Sequence, residues 1–180
     1  HLGHIWCCDS DRHRVLVGNT VEKNKGDGVV AGYADNESAK FDFIENIILD
    51  NGGQGLSNWS RIRSVMNFKG NQIKRNGGNG AYFDSNDGDI FFEKNEIEEN
   101  GEQGVYFNRS RKNILIQDNT IKKNSYSGIF VSKGDDQSTE IKIKNNLVSE
   151  NKRGSEDYDR NGITLYYESS ATAQITGNTV

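Results

Sequence analysis

The sequence predicts an all-β fold, a solenoid built from parallel strands, and three observations predict it. The first is an alternation of apolar and polar residues in short runs, which is typical of strands rather than helices. The second is the composition, since the 180 residues include 20 Gly and 22 Asn but no Pro. The third is an asparagine that recurs every 24 to 32 residues, at Asn19, Asn46, Asn71, Asn95, Asn119, Asn146 and Asn178. Repeats of this length indicate stacked coils of strands.

Each repeat has further fixed positions. A second asparagine follows five residues after each of the first six, at Asn24, Asn51, Asn76, Asn100, Asn124 and Asn151. A glycine follows the second asparagine, at Gly28, Gly55, Gly80, Gly104, Gly128 and Gly162. Alternating apolar residues precede the first asparagine, one aliphatic residue lies between the two, and more apolar residues follow the glycine. We therefore expect three short strands per coil and about six to seven coils of about 24 residues.

The asparagines have a physical role in such a fold. Strands of neighbouring coils lie about 4.8 Å apart, and an amide side chain can both donate and accept hydrogen bonds along that axis. We therefore expect Asn ladders at the turns. Asn and Gly also tolerate the left-handed backbone that tight turns require, so we expect them to supply it. Pro would remove a donor from strands that are paired on both sides, which accounts for its absence.

Charge and hydropathy exclude several classes of protein. A net charge of −4 without a basic stripe argues against nucleic-acid binding. No run of about 18 apolar residues is present, so we expect no membrane span. We interpret residues 1–180 as a single solenoid domain and as a segment of a longer solenoid, because neither end has a polar cap. A homo-oligomer or another chain could cover the open ends.

The repeat unit Asn-x-[Ile/Val]-x-x-Asn-x-x-x-Gly-[Ile/Val] resembles the right-handed parallel β-helix repeat of the pectate-lyase-like superfamily, over essentially the whole chain. This resemblance implies a right-handed, single-stranded parallel β-helix. The superfamily includes polysaccharide lyases, glycoside hydrolases, mannuronan epimerases and phage tailspikes, so the resemblance implies an extracellular location, secreted or on a virion surface. It does not select one activity, since signatures such as Asp-Pro-His-[Asp/Glu] are not met.

Outward positions on the strand after the glycine carry aromatic and charged side chains. Sugar rings stack on aromatic side chains, and the long groove of a solenoid fits a linear polymer. The predicted substrate-binding residues are Trp59, Arg61, Tyr82, Tyr106, Phe130, Lys133 and Tyr166. The alternative is that Tyr82, Tyr106 and Phe130 stack for stability, or pack under a loop or a partner chain.

The candidate catalytic residues lie beside these aromatics, at Asp84, Asp87 and Arg109. Asp84 and Asp87 could form the acid–base pair of a glycosidase. A lyase or epimerase would instead use a base such as Arg109, Arg61 or Lys133, with a cation neutralising the uronate. The acidic segment 84–89 departs from the spacing of a calcium loop, so we expect a hydrated turn. No cofactor and no metal ligand is assigned, and calcium is a candidate cofactor.

We expect a carbohydrate-active β-helix that binds an extracellular polysaccharide and cleaves or modifies it, as a lyase, a hydrolase or an epimerase. The alternative is a non-catalytic structural or adhesive β-helix, such as a segment of a phage tailspike or a surface adhesin. Convergence of two or more titratable groups beside Tyr82 and Tyr106 would favour the enzyme.

Overall fold

The chain folds into short strands that follow one another. A computed structural model describes residues 13–32, 37, 39–58, 62–133, 140–151, 161–167 and 171–180. At residues 133 and 167 only the backbone is described. In chain order the strands are β1 (His13–Val17), β2 (Thr20–Glu22), β3 (Val29–Ala31), β4 (Lys40–Ile44), β5 (Ile47–Leu49), β6 (Leu56–Asn58), β7 (Val65–Lys69), β8 (Gln72–Lys74), β9 (Ala81–Asp84), β10 (Ile90–Glu93), β11 (Glu96–Glu98), β12 (Val105–Ser110), β13 (Ile114–Gln117), β14 (Thr120–Lys122), β15 (Ile129–Lys133), β16 (Glu140–Lys144), β17 (Leu147–Ser149), β18 (Ile163–Tyr167) and β19 (Thr172–Thr176).

These strands form three parallel sheets that run the length of the molecule. Sheet I contains β1, β4, β7, β10, β13, β16 and β19 in that order, sheet II contains β2, β5, β8, β11, β14 and β17, and sheet III contains β3, β6, β9, β12, β15 and β18. Each strand pairs with the equivalent strand of the next coil, as Ile97 pairs with Ile121 in sheet II. The predicted all-β solenoid with three strands per coil is therefore confirmed.

The coil count is slightly lower than predicted. Five turns of 24 to 27 residues connect the first asparagine of each coil from Asn19 to Asn146. The turn from Asn146 to Asn178 takes 32 residues and includes residues outside the described ranges. The structure therefore has about five regular turns of about 25 residues rather than six to seven of about 24.

The core is a thin stack of inward side chains from all three sheets. Phe43, Phe68 and Phe92 follow one another in sheet I, with ring centroids 4.8 Å and 5.5 Å apart. Phe83 and Phe107 stack in sheet III at 5.1 Å. Burial of such rings is worth about 1.5–3 kcal/mol each, so a chain with only 33% hydrophobic residues still has a continuous core.

The asparagine ladders are present, and hydrogen bonds join each described member to a neighbouring coil. The side-chain amide of Asn71 donates to Oδ1 of Asn95 in the next coil at 2.9 Å and to the carbonyl of Phe43 at 2.9 Å. The backbone N–H of Asn71 donates to the same Oδ1 of Asn95, also at 2.9 Å. Because Asn71 and Asn95 are buried, these bonds satisfy groups that water cannot reach.

The prediction that Asn and Gly supply left-handed backbone at the turns is corrected in part. In the described residues it is the residue before each ladder asparagine that has a positive φ. Asn or Gly holds this position in four cases, at Gly18, Gly70, Asn145 and Gly177. Other residue types hold it elsewhere, for example Lys94 at 54° and Glu99 at 56°. The corner glycines are needed for space instead. A Cβ on Gly104 would lie 2.5 Å from Cγ2 of Ile121 and 2.6 Å from the carbonyl oxygen of Gly128.

Within the described ranges the chain has no helix that is long and apolar enough to cross a membrane.

Candidate functional site

The outer face of sheet III carries a short aromatic row, formed by Tyr82, Tyr106 and Phe130. These residues lie side by side in register on β9, β12 and β15. Their ring centroids are 5.3 Å and 4.9 Å apart, with interplanar angles of 72° and 68°. Edge-to-face pairs of this kind stabilise each other. All three side chains are half-buried, so the row also offers ring surface to a ligand.

An open groove continues the row toward the last coil. It has a volume of about 490 Å³ and is lined by Tyr106, Phe130, Ser132, Thr164, Leu165 and Tyr166. Tyr166 is 56% exposed and lies in register with Ser132. Aromatic rings beside hydroxyl groups in a shallow groove can contact both the faces and the hydroxyls of a sugar ring. The structure thus brings Tyr82, Tyr106, Phe130 and Tyr166 to one face, as the alternation predicted.

Asp84 and Arg109 meet beside the row, two and three residues after Tyr82 and Tyr106 along the chain. The guanidinium of Arg109 donates to both carboxylate oxygens of Asp84 at 3.0 Å, and the side chain of Asn108 donates to one of them at 2.8 Å. The register between β12 and β15 shifts between Phe107 and Ser110, and Arg109 has a φ of 51°. Such irregularities redirect side chains, and here the side chain of Arg109 reaches the preceding coil.

Asn58, which was not predicted as a site residue, fixes the backbone of Asp84. Its Oδ1 accepts from the N–H of Asp84 at 2.7 Å, and its Nδ2 donates to the carbonyl of Asp84 at 2.9 Å. Asn58 is completely buried and pairs with Phe83, which is an inward core residue. A polar residue at an apolar position of the repeat was the available signal, and buried polar groups of this kind hold specific geometry.

Asp87 has a different partner from Asp84. Its carboxylate lies 3.2 Å from Nη1 of Arg111, and only 8% of the residue is exposed. The structure therefore joins Asp84 with Arg109 and gives Asp87 a separate arginine. Arg111 was not predicted, because counting alternate residues along β12 fails beyond the register shift.

Buried polar groups also lie in and beside residues 84–89. Asn86 and Ser110 are both buried, and their Nδ2 and Oγ atoms have no hydrogen-bond partner in the described part of the chain. The carboxylate of Asp89 accepts from the N–H of Asn113 at 3.0 Å.

Among the described residues, no group of three or more His, Cys, Asp or Glu side chains could hold a metal ion. The calcium interpretation of residues 84–89 stays a prediction from sequence.

Three predicted site residues cannot be placed on this face. Trp59 and Arg61 lie outside the described residues, and for Lys133 only the backbone, at the end of β15, is described.

Three parallel sheets stacked coil on coil define a parallel β-helix. The family described as right-handed β-helix region matches residues 4–180, and the chain belongs to this family. Among solved structures, the chain is similar to a mannuronan C-5 epimerase A-module from Azotobacter vinelandii, at 17% sequence identity and a TM-score of 0.57. That similarity covers 93% of this chain and 54% of the other, so this chain spans about half of its length. No curated protein sequence matches the chain.

Proposed function

We propose that the chain is a carbohydrate-active β-helix that binds an extracellular polysaccharide along the outer face of sheet III. The observation that carries the proposal is the aromatic row, which continues into the groove beside Tyr166. Aromatic side chains placed at successive coils suit a polymer whose sugar units also repeat along one line. The fold shared with an epimerase module adds support for a carbohydrate-related role.

The same proposal includes cleavage or modification of the polymer beside the row. Asp84 offers a carboxylate that can accept or return a proton, and Arg109 offers a cation that stabilises developing negative charge. Both groups lie in contact beside the row, and Asn58 holds Asp84 in place from the core. Lyase, hydrolase and epimerase chemistry all use groups of this kind, so the reaction is left to the experiment below.

A second candidate function is a non-catalytic adhesive β-helix. The observation that favours it is the pairing of Asp84 with Arg109 and of Asp87 with Arg111. Carboxylates neutralised in this way are typical of structural ion pairs. In that case the row would grip a polysaccharide without changing it.

The test is a panel of neutral and anionic polysaccharides, with affinity measured for the wild-type protein and for Tyr106→Ala. We expect one polymer to bind and Tyr106→Ala to weaken it at least about tenfold, about 1.4 kcal/mol, as for an aromatic anchor. The matched control is Phe91→Ala, because Phe91 is a half-buried aromatic on the neighbouring sheet I and should leave affinity unchanged. Equal losses in both variants, or no binding to any polymer, would contradict the proposal.

The reaction products then distinguish an enzyme from a non-catalytic adhesive β-helix. New absorbance from unsaturated uronate indicates a lyase, new reducing ends without it indicate a hydrolase, and a changed sugar configuration by NMR indicates an epimerase. Arg109→Gln should abolish whichever signal appears while the polymer still binds. Binding with none of the three signals would favour the adhesive β-helix.

A further inference from the structure

The column of outward positions that contains the aromatic row is uncharged. In register along sheet III, its described members are Val30, Ser57, Tyr82, Tyr106, Phe130 and Thr164. Ser57 is buried, so a polymer that follows this column meets the three rings, the hydroxyl-bearing Thr164 and one aliphatic side chain. Contacts of this kind recognise the faces and hydroxyls of sugar rings and offer no counter-ion to an acidic group.

Two cations beside the row already have partners. Arg109 donates to both oxygens of Asp84 at 3.0 Å, and Arg111 lies 3.2 Å from the carboxylate of Asp87. Each guanidinium has five N–H donors, so a carboxylate on the polymer can bind it without displacing the protein carboxylate. It would then lie beside Asp84 or Asp87, and repulsion between the two carboxylates weakens the electrostatic attraction.

The other edge of the row carries acidic groups. The carboxylate of Asp27 accepts from Oγ of Ser57, a member of the column, at 2.7 Å. The carboxylate of Glu102 accepts from the side chain of Asn79, two residues before β9, at 2.6 Å. The chain as a whole has a net charge of −4. Charges of one sign along a groove repel ligands of that sign.

Resting on the proposed function, we infer that the polysaccharide held by this face is neutral, without carboxylate or sulfate on the sugar units that contact the row. A neutral polymer contains no uronate, so of the reactions in the proposed function this inference favours hydrolysis over uronate lyase or uronate epimerase chemistry. Carboxylates such as those of Asp27 and Asp84 are acceptors only, and sugar hydroxyls are the donors that match them. Aromatic rings stack on the apolar faces of the same sugars. The charge, the acceptors and the rings of sheet III therefore select the same class of ligand.

The experiment compares matched pairs of polymers that differ only in charge. Polygalacturonate, polymannuronate and polyglucuronate are each tested beside the neutral polymer made by reducing their carboxyl groups. Affinity is measured at about 50 mM and about 300 mM NaCl, across which ionic contacts are screened. We expect a neutral member to bind at least about tenfold more tightly than its acidic parent, with little dependence on salt and with loss of binding in Tyr106→Ala.

A variant that removes one negative charge from the protein tests the same inference on an unchanged polymer. Differences in sugar stereochemistry then do not enter the comparison. Glu102→Gln removes one negative charge and keeps an oxygen that can accept from Asn79. We expect it to raise the affinity for an acidic polymer about two- to fivefold and to leave the neutral partner unchanged. Glu93→Gln, on sheet I in the same coil, removes the same charge away from the row and should change neither affinity.

Each outcome is decisive. Tighter, salt-sensitive binding of an acidic parent that depends on Tyr106 would overturn the neutral-ligand inference and leave the proposed function standing. No binding to either member of any pair would overturn both. A Glu102→Gln variant that weakens binding of the neutral polymer would also contradict the inference, since the charge would then be needed for recognition.

Discussion

The asparagine ladders and the aromatic row both stack one kind of side chain from coil to coil, but different forces hold them. The ladders run the length of the described coils, and their inner members are buried and have their amide groups hydrogen-bonded in both directions, as at Asn71 and Asn95. The row spans three coils, is half-buried, and is held by edge-to-face ring contacts. The asparagines that repeat along the whole molecule therefore stabilise the fold, whereas the aromatic side chains that repeat over three coils leave ring surface available to a ligand.

The largest effect is expected from breaking a ladder. Asn95→Ala removes an oxygen that accepts two bonds from Asn71 and an amide that donates to Asn119 and to the carbonyl of Phe68. We expect a loss of about 3–5 kcal/mol in the free energy of unfolding, measured by urea denaturation, because buried groups lose their partners.

The matched control is Asn113→Ala, at an exposed asparagine whose Oδ1 accepts one bond, from the N–H of Glu140. It should cost under about 1 kcal/mol. Similar costs for the two variants would remove the distinction between ladder and surface asparagines.

The next effect concerns the corner glycines. Gly104→Ala places a methyl group 2.5 Å from Ile121 and 2.6 Å from a backbone carbonyl of the next coil. Because overpacking of this kind typically costs about 1–3 kcal/mol, we expect a destabilisation of about 2–3 kcal/mol by thermal unfolding. Gly26→Ala is the control, since nothing lies within 4 Å of its new Cβ. A neutral Gly104→Ala would contradict the close approach of the coils.

The aromatic row should show a smaller coupling than the ladder. A double-mutant cycle of Tyr82→Ala and Tyr106→Ala is expected to give an interaction energy of about 0.5–1.5 kcal/mol, the usual range for an edge-to-face pair. The same cycle at Asn71 and Asn95 should give a larger coupling. Equal couplings would mean that the row is as structural as the ladder and would weaken its assignment to ligand binding.

The smallest effect is on the pH dependence of stability. Burial raises the pKa of Asp42, but hydrogen bonds from Asn67, His13 and Lys40 outweigh it and hold that pKa below its ordinary value. The stability that Asp42 contributes is therefore present above about pH 4 and is lost as the pH falls through the lowered folded-state pKa. Asp42→Asn should flatten the acid limb of a denaturation series, whereas Asp118→Asn, at an exposed site, should not.

Much of the fold could be predicted because the repeat leaves few alternatives. The alternation of apolar and polar residues predicted that Ile97 and Phe92 lie in the core, and the spacing of the asparagines predicted the ladders. Which residues adopt left-handed backbone at the turns was not predictable in the same way. Left-handed backbone falls on Gly before some ladder asparagines but on Lys94 and Glu99 before others. Lys and Glu have no special preference for it, so in those coils the hydrogen-bonded ladder beside them explains the conformation.

The candidate site was partly predictable for a related reason. The period of two placed Tyr82, Tyr106 and Phe130 on one face, because a strand has only two faces. It did not extend beyond Phe107, where the register shifts, and it did not identify Arg111 as the partner of Asp87. The partners of a carboxylate depend on the path of the backbone between coils, which alternation does not determine.

The most direct test of the central claim measures stability and affinity on the same Tyr106→Ala protein, with a polysaccharide that the wild type binds. We predict a folded protein, destabilised by about 1–3 kcal/mol, that binds at least about tenfold more weakly. Retained affinity, or weaker binding that appears only as the protein unfolds, would contradict the assignment of the aromatic row to ligand binding.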